Sequence, residues 1–139
     1  MTDQSESTIT LRIFGESLVP SEISALLGSA ATDSYRKGDA LPGRSKDGGP
    51  RIAARGMWRT EVERCTPADL NTQISQILSL LTQDIAVWTS LDPTFELDLF
   101  CGFFMSDGNE VVSLPPAILG ALAERRIELI LDIYRPCSD

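Results

Sequence analysis

Histidine is missing from this 139-residue chain. Its absence removes Ser-His and Cys-His nucleophile systems, the usual general acid/base at neutral pH and most zinc sites. Cysteine is scarce: Cys65, Cys101 and Cys137 are the three, and no two stand in C-x-x-C spacing. They read as reduced thiols, not as a disulfide framework. No apolar run reaches the roughly 18 residues that a membrane span needs. The start, Met1-Thr2-Asp3-Gln4-Ser5-Glu6, lacks the basic opening of a secretory signal. A soluble, cytoplasmic protein with no membrane partner is therefore expected. Neither a Walker pattern nor G-x-G-x-x-G occurs, and no cofactor or metal is expected.

Positive charge is also in short supply. Twelve Lys plus Arg face 20 Asp plus Glu, for a net charge of −8. What there is clusters. From Arg36 to Arg64 eight basic residues stand against four acidic ones, a local +4 that leaves −12 on the remainder. A polyanion would be repelled by most of this surface, so nucleic acid is not an expected partner.

The length suits one domain with a sizeable core. Residues 1–7 are polar and read as a disordered tail, with a single domain over 8–139. Thr8 to Ile13 alternate apolar and polar, the mark of a half-buried strand. Pro20 then opens a short helix carrying Ile23, Leu26 and Leu27, with Gly28 at its C-terminal cap. Thr32–Tyr35 reads as a short extended piece. Gly38, Pro42, Gly43, Gly48, Gly49 and Pro50 punctuate what reads as a long loop. From Ile52 alternation returns as one long strand, with Ala54, Gly56, Trp58 and Val62 on one side and Arg55, Arg59, Glu61 and Glu63 on the other.

Thr66-Pro67-Ala68-Asp69 reads as a helix start with Thr66 as N-cap. Leu70, Ile74, Ile77, Leu78, Leu81, Ile85 and Trp88 follow at helical spacing, which predicts one amphipathic helix ending before Asp92-Pro93. Phe95 to Met105 forms a strand, Val111-Val112 a short returning one. Ser113 and Pro115-Pro116 open a further helix, and Ile127 to Ile133 alternates as a last strand. The sum is an α+β fold: a mixed or antiparallel sheet of four to five strands with helices on one face, ferredoxin-like at its core, with a helix and strand appended.

Several of these segments resemble a known family. "LRIFGESLVPSEISALLG", "YRKGDALPGR", the Trp58 strand and "FMSDGNEVVSLPPAILGALAERRIELILDIY" are similar to a small bacterial family of unknown function, numbered 4279. The sharpest pieces are Arg36-Lys37-Gly38-Asp39 and Asp132-Ile133-Tyr134. The resemblance spans residues 10–134. It implies a compact α+β domain and supplies no activity.

Two constellations carry chemistry. In the first, Arg36, Lys37, Asp39 and Arg44, with Tyr35 beside them and Arg55 and Arg59 on the strand that follows, form a glycine-punctuated basic segment. Its N–H groups and cations suit a phosphate or carboxylate, and Tyr35 could stack on a ring. A solvated loop in which Asp39 organises a turn and Arg36 pairs with a neighbouring strand accounts for the same residues. In the second, a wet sheet face presents Arg12, Arg55 and Arg59 with Glu96, Asp98, Glu128 and Asp132. It is either a polar groove or a set of cross-strand pairs that keep the face in register. Trp58, Trp88 and Cys101 are expected in the core.

Three functions compete. A non-enzymatic interaction or regulatory module, of the immunity type, fits the acidic surface and favours a basic protein partner. A sensor would hold a small anionic ligand at the 36–59 segment. A hydrolase would need Glu96, Asp98 and Asp132 as acid and base, or Lys37 as nucleophile. Monomer and homodimer are both open, since the short Val111-Val112 strand and the last strand are expected to leave a free sheet edge.

Overall fold

The computed structural model describes residues 4–136. β1 (Glu6–Gly15) alternates half-buried and buried residues along its whole length, so Ser7, Ile9, Leu11 and Ile13 face the core while Thr8, Thr10, Arg12 and Phe14 face away. Of the stretch 1–7 expected to be a disordered tail, Glu6 and Ser7 belong to β1, Ser7 being tied down by Gln73 and Cys65, and residues 1–3 lie outside the described residues. α1 (Pro20–Leu27) begins on its proline and ends on Gly28 at φ 74°, the left-handed cap that glycine takes without strain.

β2 (Asp33–Tyr35) leads into a feature absent from the sequence reading. The stretch that glycine and proline predict to be a long loop holds a hairpin of β3 (Ala40–Arg44) and β4 (Pro50–Ile52). Its tip is closed by the Asp47 carboxylate, which accepts from Ser45 Oγ and from the Gly49 N–H, with Gly48 at positive φ. The two strands are exposed and carry Pro and Gly, so no apolar alternation announces them. The long strand predicted from Ile52 is accordingly two: β4 stays with the hairpin, and β5 (Gly56–Glu61) starts afresh in the main sheet.

The long helix also divides. α2 (Leu70–Ser79) starts at Asp69, which accepts from the Thr72 N–H at 3.1 Å, not at Thr66. α3 (Ile85–Leu91) starts at Asp84, which accepts from the Ala86 N–H at 3.0 Å. Between them, the Thr82 N–H is drawn to the Leu27 carbonyl at 2.8 Å, and the Gln83 side chain caps the carbonyls of Leu78 and Leu81. Tertiary and side-chain hydrogen bonds outcompete one more turn of helix. The apolar stripe survives the break, with Ile74, Ile77 and Trp88 fully buried.

β6 (Glu96–Phe104) is followed by an irregular segment in which Val111 and Val112 are exposed; the short strand expected there does not form. α4 (Pro116–Glu124), with Pro115 rather than Ser113 at its N-cap, and β7 (Glu128–Tyr134) complete the chain.

The result is an α+β protein: the described residues form four helices, a mixed five-stranded sheet in the order β2-β5-β1-β6-β7, and the two-stranded hairpin. All pairs in the main sheet are antiparallel except β6 with β7, which is parallel and joined through α4. The helices bury their apolar residues in one core against Ile9, Leu11, Ile13, Trp58, Leu97, Leu99 and Cys101. Trp58 and Trp88 are both wholly buried there, each with its indole N–H satisfied at 2.9 Å, by Ser24 Oγ and the Thr82 carbonyl respectively. Among the described residues no helix is long and apolar enough to cross a membrane.

Candidate functional site

Strand register places the other face of the sheet residue by residue. One row crosses all five strands: Asp33, Arg59, Arg12, Asp98, Glu128. Arg12 sits at its centre and donates from Nε and Nη2 to both oxygens of Asp98, at 2.8 and 2.9 Å. This is the planar, two-pronged geometry that makes an arginine–carboxylate pair directional. Arg59 next to it lies 3.8 Å from Asp33 and 3.4 Å from Glu61. Two like charges side by side are therefore flanked by carboxylates.

The neighbouring rows hold aromatics. Phe14 and Phe100 lie either side of Arg12, whose guanidinium sits 4.4 Å from the Phe100 ring centre and 5.2 Å from that of Phe14. Arg55 covers Phe14 at 4.4 Å while donating to Glu96 at 2.9 Å. Arg64 covers Phe104 at 5.2 Å while donating to Glu6 at 2.6 Å. Phe104 in turn stacks on Tyr134 of β7, ring centres 4.7 Å apart and planes within 6°. Gly102 makes room for this: a Cβ there would stand 2.6 Å from Thr8 Oγ1 and 3.3 Å from the Phe104 ring. Tyr134 donates to Asp132 at 2.5 Å, and that bond raises its phenol above the ordinary range.

So the face expected to be wet carries a second apolar layer, outside the helix-side core, capped by guanidinium groups. Arg12, Arg55 and Arg64 are each held twice, by a carboxylate and by a ring. The charged members of this face were legible from strand alternation. The aromatics were missed, although Phe14 and Phe100 occupy the polar phase of β1 and β6, which is the signal that could have found them.

The basic segment is divided between two places. Tyr35 is half-buried on β2 and, with Asp33, Asp39, Leu41 and Arg51, lines a cleft of about 600 Å³ between that strand and the hairpin. Asp39 closes the turn, accepting from the Arg36 N–H at 2.8 Å. Lys37 is paired with Glu16 at 2.8 Å, and this hydrogen bond, with the lysine's charge, holds the Glu16 carboxyl below its usual range. Arg44 donates to the Gly48 carbonyl at 3.3 Å, inside the hairpin. Arg36 forms no ion pair among the described residues. Arg55 and Arg59 belong to the sheet face already described. Tyr35, Arg36, Lys37 and Asp39 thus gather at the hairpin base, Arg44 lies near its tip, and the other two face carboxylates of the main sheet.

Cys101 is buried on the core face, where desolvation, followed by the nearby Asp98 charge, pushes its thiol up to about 12. Cys65 is half-buried, and Cys137 lies outside the described residues.

Fold and face define an α+β domain in which, among the described residues, the helices pack on one side of the sheet and arginine–aromatic stacks line the other. The chain belongs to the family described as a domain of unknown function (DUF4279), which it matches over residues 5–136. No curated protein and no solved structure matches it.

Proposed function

We propose that this protein is a non-enzymatic interaction module whose open sheet face docks a basic protein partner. The observation that carries this reading is the set of arginine–ring stacks, Arg12 on Phe100 and Phe14, Arg55 on Phe14 and Arg64 on Phe104. Aromatic and arginine side chains dominate the energetics of protein interfaces. Held in place beforehand, they lose little conformational entropy on binding. The same face bears Glu6, Asp33, Glu61, Glu96, Asp98, Glu128 and Asp132, a carboxylate surplus that steers a cationic surface toward it. The ferredoxin-like reading of the first part of the chain is supported by the sheet order, in which β5 stands between the strands of β1-α1-β2 and β1 stands between β5 and β6. A cytoplasmic setting is supported by Cys65 and Cys101, both free thiols.

A second reading, a sensor for a small anionic ligand, draws on the cleft beside Tyr35 and Arg51. It ranks behind because Lys37, Arg55 and Arg59 are each held by a carboxylate and two aspartates line the cleft. A hydrolase has less support still: Glu96 and Asp98 are tied to Arg55 and Arg12, and Asp132 to Tyr134.

The test is affinity capture from an extract of the source cells on immobilised wild type and on a Phe14→Ala/Phe100→Ala variant in parallel. Expected is a basic polypeptide that the wild type retains, that moderate salt releases, and that the variant binds about tenfold or more weakly, as loss of an interface anchor costs ~2 kcal/mol. Identical sets of proteins on both columns would count against the face.

A further inference from the structure

The two edges of the main sheet are built differently. β2 is three residues long and stands beside the hairpin. β7 runs seven residues, Glu128–Tyr134, and pairs with β6 alone among the described residues. The Met105 N–H donates to the Tyr134 carbonyl at 2.9 Å. Backbone groups alternate sides along a strand. Glu128, Ile130, Asp132 and Tyr134 therefore address β6, and Leu129, Leu131 and Ile133 turn their N–H and C=O outward.

Proteins ordinarily guard such an edge with lysine, proline, a bulge or a covering element. Residues 128–134 contain neither lysine nor proline, and the pairing with β6 is in continuous register. The strand is instead apolar and open: Leu131 is 39% exposed, Ile133 55% and Tyr134 46%. Leu119 of α4, the helix that packs on β7, is also exposed.

We propose that β7 pairs with β7 of a second copy of this chain, antiparallel about a two-fold axis at Leu131, so that the two sheets become one. The charges along the strand and the length that can pair together select the register: axes at Leu129 or Ile133 leave most of the strand unpaired. Continuous sheet faces require that opposed residues share a face, so each allowed register has one residue on the axis. With Leu131 there, Leu131 meets its own copy, Leu129 meets Ile133, Ile130 meets Asp132 and Glu128 meets Tyr134. The whole strand is paired, apolar residues oppose one another on the helix side, and no like charges face each other. Every outward N–H and C=O of Leu129, Leu131 and Ile133 finds a partner. Moving the axis to Ile130 opposes Glu128 to Asp132 twice, and moving it to Asp132 opposes two Asp132 carboxylates. Both shorten the pairing, and directly opposed like charges are unfavourable. This inference stands apart from the open-face reading, since it uses the edge and not the face.

Sedimentation velocity of the full chain over a micromolar concentration series tests it. Expected is concentration-dependent growth to twice the chain mass. Leu131→Lys, which sets two ammonium groups across the axis, should abolish it. Two further variants at one position read the register: Ile130→Lys would face Asp132 of the other copy and tighten the dimer a few-fold, while Ile130→Glu would weaken it several-fold. Circular dichroism confirms that each is folded, and if Leu131→Lys does not fold the Ile130 pair decides. A wild type monomeric throughout overturns the proposal. So does equal weakening by both Ile130 variants, or a monomer whose β7 amides gain exchange protection only with a different polypeptide.

Discussion

Asp98→Asn isolates what holds the open face in order. The substitution keeps the shape of the side chain and removes the charge that receives both Arg12 bonds, at 2.8 and 2.9 Å. The side chains are 29% and 14% exposed, so the pair stands between a surface ion pair, worth about 0.2–1 kcal/mol, and a buried charge-assisted hydrogen bond, worth about 1.5–3 kcal/mol. A loss of ~1–1.5 kcal/mol follows. With an unfolding entropy of ~2.1 cal/mol/K per residue, this chain unfolds with ~300 cal/mol/K, and Tm falls by ~3–5 °C. Thermal and urea unfolding of wild type, Asp98→Asn, Arg12→Met and the double variant close a cycle whose coupling is expected near 1 kcal/mol. Glu128→Gln, in the same row and without an ion pair among the described residues, controls for the change in net charge. An unchanged Tm with coupling below ~0.3 kcal/mol would mean that Arg12 is not fixed on Phe100, and the preorganisation on which the docking face depends would be refuted.

Two further outcomes follow from the helix caps and the core. Asp69→Ala should cost ~1 kcal/mol at neutral pH, as N-cap losses do. Its Thr72 hydrogen bonds depress the folded-state carboxyl, so this stabilisation is present above the ordinary carboxyl range and disappears as pH falls through the lowered value; the gap between wild type and variant should close in acid, which urea unfolding at several pH values measures. Cys101, pushed up to about 12, stays protonated in mildly alkaline solution, so iodoacetamide should leave it unmodified in native protein and alkylate it in urea, as peptide mass mapping will show; native modification at the rate of Cys65 would contradict its burial.

Much of this fold is written in periodicity. Alternation located β1, β6 and β7, and proline with glycine bracketed α1, because each signal reflects burial of one side of a local element. The hairpin was hidden for the converse reason: β3 and β4 bury almost nothing, so they are joined by a backbone ladder and a turn closed by Asp47, with no apolar pattern to mark them. The break between α2 and α3 was hidden because Thr82 answers to Leu27, a partner 55 residues away in the chain, while the apolar stripe runs on across it. For the site, alternation placed Arg12, Arg59, Glu96 and Asp98 on one face. It could not say which cations meet which carboxylates, since that depends on strand order, which puts β1 between β5 and β6. The basic cluster of 36–59 looks continuous in sequence, yet the turn at Ala53–Arg55 sends its two halves to different sheets.

Carbene footprinting of the protein, alone and in source-cell extract, tests the docking face without altering a residue. Labelling of Phe14, Phe100, Phe104 and Tyr134 should fall in the extract, and fall back less as salt is added, while Leu26 and Leu80 on the helix side keep their labelling. Unchanged labelling of the four rings, or protection centred on the helix side, would contradict the assignment of the open sheet face as the binding surface.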